Sequence, residues 1–209
     1  MEDEVCNLGV LVSGSGTNME NIAVKIEKRE LEARIAVVIS NVADAQALAK
    51  AEKHGLKAIH VDPRHFPDRA AYDRELIRIL RESGVDLVIL AGYMLLVGGE
   101  FVAAFRNRIM NIHPALLPSF PGTSGVSDAL AYGVKVTGVT VHFVDEGLDT
   151  GPIILQQAVS VREDDTPETL HQRLHEVEYQ LYPRAIRYYC QGRLSVEGRK
   201  VRIKGEEKE

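Results

Sequence analysis

Three times in the first half of the chain, an apolar and largely β-branched run stops at glycine, proline or polar residues and gives way to a stretch with helical spacing. Residues 5–12 run into Ser13-Gly14-Ser15-Gly16-Thr17-Asn18, and 19–29 then carries apolar side chains at Met19, Ile22, Ala23 and Ile26. Residues 34–40 read as a buried strand, 44–54 as a helix ended by Gly55, and 58–61 as a short strand. Pro63 and Pro67 bracket a loop, Asp68 stands where a helix cap belongs, and 69–83 is helical with Gly84 closing it. Residues 86–91 form a near-continuous apolar strand bounded by Gly92. Strands of this kind, alternating with helices, predict a parallel sheet covered on both faces. In such folds ligands bind beyond the carboxyl ends of the strands, so the loops after Val12, Ala91 and His113 are expected at one edge.

The next strand ends in Asn111-Ile112-His113-Pro114-Ala115-Leu116-Leu117-Pro118-Ser119-Phe120-Pro121-Gly122. Asn111 and His113 are two residues apart, so in extended backbone both point to one face. One can donate an amide hydrogen bond and the other can move a proton, a pairing suited to chemistry at a carbonyl. The alternative is structural: an asparagine at a strand end and a histidine hydrogen-bonded in the core.

Beyond the proline-rich loop, 127–132 is predicted helical and Gly133 ends it. Residues 134–144 alternate as a strand, with Val136, Gly138, Thr140 and His142 on one face and Thr137, Val139, Val141 and Phe143 on the other. An acidic, glycine-punctuated loop, Asp145-Glu146-Gly147-Leu148-Asp149-Thr150-Gly151-Pro152, follows, and 153–161 reads as the returning strand. The loop could place Asp149 beside His113, or be an ordinary acidic hairpin turn. Thr166-Pro167-Glu168 opens the longest helix, to about Cys190, with Leu170, Leu174, Val177, Leu181 and Ile186 on its apolar side. A small hairpin over 193–203 and a charged tail over 204–209 close the chain.

Composition limits the readings. A length of 209 residues allows one substantial domain, and no apolar run approaches the roughly 20 residues of a membrane span. The acidic Met1-Glu2-Asp3-Glu4 runs straight into a strand, the wrong order for a secretory signal, so a cytoplasmic protein is expected. A net charge of −5 argues against broad attraction to nucleic acid or an anionic membrane, so a bound anion would need local loop amides or placed arginines. Cys6 and Cys190 offer no CxxC spacing and read as reduced thiols.

The loop 13–18 is strand, tight glycine turn, helix, a geometry that brings backbone amides close to a phosphate. Met19 stands where a dinucleotide fingerprint needs its third glycine, and no Gly-Lys-Ser/Thr follows. A plain strand-to-helix turn without a ligand is the other reading. His171 and His175 are four apart on the long helix, but Gln172 stands where a zinc protease carries glutamate; the spacing reads as a solvated helix face, and no metal is expected. His142 reads as a packed core histidine. His54, His60 and His65 form no constellation, and Ser13-Gly14-Ser15-Gly16 is not a G-x-S-x-G elbow.

Taken together, Ser13-Gly14-Ser15-Gly16-Thr17-Asn18, Leu90-Ala91-Gly92-Tyr93-Met94, Asn111 through Pro118, His142 through Pro152, and Glu178 before Tyr182-Pro183 resemble the phosphoribosylglycinamide (glycinamide ribonucleotide) formyltransferases. The resemblance covers most of the chain. It implies a single α/β domain of Rossmann-like formyltransferase fold, with a mostly parallel central sheet, helices on both faces and a mixed C-terminal part. A phosphate-binding half would span 1–110, and a catalytic and folate-binding half 111–209. The implied reaction is formyl transfer from 10-formyltetrahydrofolate to the amine of phosphoribosylglycinamide in purine biosynthesis. Asn111 and His113 would face the oxyanion, and Asp149 would stabilise the charged form of His113 and hold a relaying water. Gly16, Thr17 and Asn18, with His175, would hold the substrate phosphate, and Glu178 the ribose hydroxyls. Arg69, Met94, Leu95, Leu96, Val97, Asn111, Val144 and Asp145 would bind the folate. Small-molecule partners only, and a monomer or homodimer, are implied.

Two positions depart from the family pattern: Leu95, where a basic residue is common, and Thr123-Ser124-Gly125, where a histidine is common. Within the same group, a methionyl-tRNA formyltransferase carries a basic C-terminal domain, whereas only about sixty residues follow Asp149 here. A formyltetrahydrofolate deformylase brings an extra N-terminal regulatory domain, whereas the first strand is expected from Val5. A non-catalytic nucleotide-binding or folate-binding module has no need of a proton-transfer pair.

Overall fold

A computed structural model describes residues 5–205; the acidic start at 1–4 and the last four residues of the charged tail lie outside the described residues. Strand β1, Cys6–Val12, is buried at every position but Asn7, as an inner parallel strand must be. It pairs in parallel with β2, Ala33–Ser40, on one side and with β4, Leu87–Leu90, on the other. The short β3, Ala58–His60, pairs in parallel with β2, so the order is β3-β2-β1-β4. Leu8, Val10, Leu11, Val37, Val38, Ile39, Val88 and Ile89 are fully buried there, and each such side chain is worth roughly 1.5–3 kcal/mol of transfer from water.

Between these strands run α1 (Thr17–Glu27), α2 (Gln46–Lys53) and α3 (Arg69–Glu82). The Asp68 carboxylate caps α3 by accepting from the Ala71 N–H at 2.7 Å, as its position in the sequence predicts. Helix α1 starts two residues earlier than the apolar spacing predicts. Gly16 takes a left-handed conformation and its carbonyl accepts from the Glu20 N–H, which draws Thr17 and Asn18 into the first turn. Helix α4, Gly99–Ala104, leaves no helical signature in the sequence, because it is under two turns long and opens on a glycine behind Gly98. The expected loop between Pro63 and Pro67 holds a 3-10 turn over Pro63–His65, capped by Asp62.

Strand β5, Ile109–His113, spans the point at which the chain divides into two compact units, one ending at Met110 and the other starting at Asn111. In the second unit come α5 (Gly125–Tyr132), β6 (Val136–Phe143), β7 (Ile153–Ser160), α6 (Pro167–Cys190), β8 (Leu194–Glu197) and β9 (Lys200–Ile203). Their order is β6-β7-β9-β8, with β6 antiparallel to β7, β7 parallel to β9, and β8 antiparallel to β9. The alternation along β6 does not separate core from solvent: every residue from Thr137 to Phe143 is buried. Helix α6 packs on β6 and β7, and α5 packs on α6. A reciprocal Thr166 and Thr169 box with Pro167 behind it starts α6, which carries Pro183 buried in its interior.

The proline-rich loop after β5 is held to β6 by one hydroxyl. Thr140 Oγ1, fully buried, donates to the Ala115 carbonyl at 2.7 Å and accepts from the Leu117 N–H at 3.1 Å. Gln156 Nε2 reaches the same oxygen and the Leu117 carbonyl, each at 2.9 Å. Thr140→Val keeps the shape and removes the oxygen, leaving a buried amide unpaired. It is expected to cost about 1–3 kcal/mol in urea denaturation; an unchanged midpoint would show that this hydroxyl does not brace the loop.

Candidate functional site

In the second unit, four polar side chains converge at the end of β5. Asn111 and His113 share one face of the strand, as their spacing predicts, while Ile112 is buried on the other. His113 is buried, and its Nε2 lies 2.8 Å from the Phe120 carbonyl. A carbonyl only accepts, so Nε2 carries the hydrogen and Nδ1 is the nitrogen turned toward Asp149, 3.6 Å from Oδ2. The same Oδ2 accepts the Gly122 N–H at 2.8 Å, and Oδ1 lies 3.7 Å from His142 Nε2. The Asn111 carboxamide completes the group, its Nδ2 at 3.3 Å from His142 Nε2.

The loop that delivers Asp149 is shaped by its own side chains. Asp145 Oδ1 accepts from the Gly147 N–H at 3.1 Å and from the Thr150 hydroxyl at 2.6 Å, tying the loop across its base. Asp149 itself has φ of 54°, a left-handed backbone that aspartate tolerates better than most residues. Burial pushes the proton affinity of His142 below the ordinary histidine value, against the pull of the Phe143 carbonyl and Asp149. Gly125, at the start of α5, packs against this group: a Cβ there would stand 3.3 Å from His113 Nε2.

Further along the second unit, α6 presents His171, His175 and Tyr179 as a ladder, with ring centroids 4.3 and 5.8 Å apart. His175 Nδ1 is 2.8 Å from Oε2 of the buried Glu178. That hydrogen bond raises the His175 proton affinity above its ordinary value, outweighing burial, whereas burial and the neighbouring His175 lower that of His171. Val144 and Asp145 are half-buried where β6 leads into the loop.

In the first unit, the loop 13–18 is a turn in which Gly16 has φ of 68°, and a Cβ there would meet Ala47 Cβ at 2.5 Å. Only glycine lets α1 start this close to α2. The first-turn amides of α1, at Thr17, Asn18 and Met19, are the ones a helix cannot satisfy internally, which makes this end suited to an anion. Ser13 joins this loop to others: its hydroxyl donates to Asn41 Oδ1 at 2.6 Å and accepts the Met94 N–H at 2.8 Å. In the 94–97 segment, Met94 and Leu96 are exposed while Leu95 and Val97 are half-buried. Asp73 on α3 anchors the end of that segment, accepting from the Gly98 N–H and from Arg69 Nε, both at 2.8 Å. Arg69 Nη2 is buried with no hydrogen-bond partner among the described residues. Among the described residues, no group of three or more histidine, cysteine or acidic side chains could hold a metal ion.

The spacing of residues alone did not single out Ser13, Asp73 or His142. Ser13 and Asp73 act through contacts 81 and 25 residues away in sequence, which no local pattern records. His142 is the buried, hydrogen-bonded histidine that the strand pattern predicts, and it also faces Asn111 and Asp149.

Residues 6–186 match the family described as Formyl transferase. The chain belongs to the formyl transferase family. It is 41% identical over 178 residues to the phosphoribosylglycinamide formyltransferase of Bacillus subtilis, covering 85% of this chain and 91% of that protein. It is also 41% identical over 189 residues to the trifunctional purine biosynthetic protein adenosine-3 of Gallus gallus, of which it spans 19%. Among solved structures of the family, glycinamide ribonucleotide transformylase 1 from Symbiobacterium toebii superposes with a TM-score of 0.94 at 51% identity, over 97% of this chain and 95% of that one. The formyl transferase fold is thus an α/β fold with a mostly parallel sheet and antiparallel strands toward its C-terminal part. No helix among the described residues of this formyl transferase is long and apolar enough to cross a membrane.

The contact between His175 and Glu178 has a measurable signature. Because Glu178 raises the proton affinity of folded His175, the stability it adds is fully present below the unfolded histidine value and is lost as pH rises through the folded one. Glu178→Gln is expected to lower the His175 titration midpoint followed by NMR of its ring Cε1–H; an unmoved midpoint would remove Glu178 as the cause.

Proposed function

We propose that this chain transfers a formyl group from 10-formyltetrahydrofolate to the amine of 5′-phosphoribosylglycinamide, in the cytoplasm and in the service of purine biosynthesis. The observation that carries the reading is the group Asn111, His113 and Asp149 in a formyl transferase, with one nitrogen of a buried histidine tied to a carbonyl and the other 3.6 Å from a carboxylate. A module that only binds has no use for a buried proton carrier facing a carboxylate.

The chemistry follows from the charges that must appear. The neutral amine attacks the formyl carbon, forming a C–N bond and placing negative charge on the former carbonyl oxygen. The Asn111 amide and the His113 imidazolium donate to that oxyanion, an effect that matters because it is stronger in the transition state than in the ground state. The tetrahedral intermediate then breaks its bond to N10 of the folate, and the proton lost by the amine ends on N10. Asp149 supports the charged imidazole and, through a water, relays that proton.

The remaining residues are assigned by the same reading. Gly16, Thr17 and Asn18, at the N-terminus of α1, would hold the substrate phosphate, with His175 contributing charge. Glu178 would bind the ribose hydroxyls. Exposed Met94 and Leu96, together with Leu95 and Val97, offer apolar surface to the folate ring system, and Arg69 offers a donor to its acidic end. Asn111, Val144 and Asp145 would contribute polar contacts to the folate. One formyltransferase domain results, with a phosphate-binding half over 1–110 and a catalytic half over 111–209.

Purified protein supplied with 10-formyltetrahydrofolate is expected to consume it only when phosphoribosylglycinamide is present. No amine-dependent consumption would overturn the transferase, and consumption without the amine would identify a hydrolase instead. His113→Ala is expected to reduce kcat by about 10²–10⁴ with folate affinity little changed, since a transition-state contact is removed. Turnover equal to the parent would take His113 out of the mechanism.

A further inference from the structure

His142 makes two hydrogen bonds whose directions depend on each other. Its Nδ1 lies 2.8 Å from the Phe143 carbonyl, which can only accept, so Nδ1 carries the hydrogen. In the neutral ring, Nε2 is then a bare lone pair. At 3.3 Å from it stands Asn111 Nδ2, the one atom of that carboxamide able to donate. Turned by 180°, the carboxamide would set its oxygen against the lone pair instead.

We propose that His142 is the positioning residue for Asn111: by holding its hydrogen on Nδ1, it accepts one Asn111 amide hydrogen and so aims the other away from itself, toward the reacting oxygen. The role in catalysis rests on the transferase reading above; the tautomer and the hydrogen bond do not. The ring is set for this by the strand that carries it. Across β6 and β7, Val141 pairs with Leu155 but His142 with Ile153, so one extra residue of β7 sits between them. Such a bulge re-aims the side chain beside it. The ring is 2% exposed, which keeps water from competing for Nε2. Around it stand His113, Asp149 and Asp145, and burial nevertheless holds the ring toward its neutral form.

The arrangement is the mirror of that at His113, where Nε2 carries the hydrogen for the Phe120 carbonyl. Two imidazoles in opposite tautomers thus turn their unprotonated nitrogens toward the two oxygens of Asp149, at 3.6 and 3.7 Å. His142 Nε2 thereby stays an acceptor for the Asn111 amide.

The first test needs no turnover. Nitrogen-15 NMR of histidine-labelled full-length protein near neutral pH is expected to show His142 protonated at Nδ1 and bare at Nε2; a hydrogen on Nε2 would overturn the proposal. The second test is a double-mutant cycle. His142→Phe is expected to lower kcat about tenfold to hundredfold with KM little changed, the scale of loss when a reacting contact is misaimed. In an Asn111→Ala background the same change is expected to do little further, because nothing remains to be aimed. Losses that multiply in full would show that His142 acts independently of Asn111. His142→Gln, whose Oε1 can accept the same hydrogen, is expected to recover part of the loss, and serves in the cycle if the phenylalanine variant does not fold. Absent turnover in the parent, with the expected tautomer intact, would sink the transferase reading and leave the hydrogen bond standing.

Discussion

A carboxylate held off two imidazoles by a little more than hydrogen-bond distance sets the terms for the second half of this protein. Asp149 has one oxygen toward each ring and a backbone amide, that of Gly122, on one of them. With both rings neutral, the nitrogens turned toward it are lone pairs, so neither ring donates a hydrogen to the carboxylate. Burial disfavours a second proton on His142. The loops around the group serve to keep it in this state: the proline-rich segment is pinned through Thr140 and Gln156, and the acidic loop through Asp145.

The first half follows a different logic, in which single polar atoms tie loops together. Ser13 connects the glycine turn to the segment after β4, and Asp73 connects that segment's far end to Arg69. Each connection satisfies one backbone donor of the segment, the Met94 N–H at one end and the Gly98 N–H at the other, and so narrows the conformations it can take. Met94 and Leu96 stay exposed between these two ties.

How much of this could be read from the chain itself follows from the range of the forces involved. Parallel strands buried on both faces leave continuous apolar runs, so β1, β2 and β4 stand out in the sequence. The pairing of Asn111 with His113 is visible because a strand's period of two is local. Helix α4 was invisible because its few residues begin at Gly99 behind Gly98, and two glycines blunt any helical signal. The links of Ser13 to Met94, Asp73 to Gly98 and His142 to Asn111 are long-range hydrogen bonds, made only once the strands are in register. Burial of every inner position on β6 likewise erased the contrast between its two faces.

The left-handed backbone at Asp149 narrows what evolution can do there. Most side chains would be strained at that φ, and glycine would relieve the strain while discarding the charge. Asparagine alone keeps both the shape and a polar head while losing the carboxylate. The simplest drift at this position therefore runs through a single amide: a side chain that suits the same backbone and keeps the loop in place, yet has lost the charge that the two histidines face.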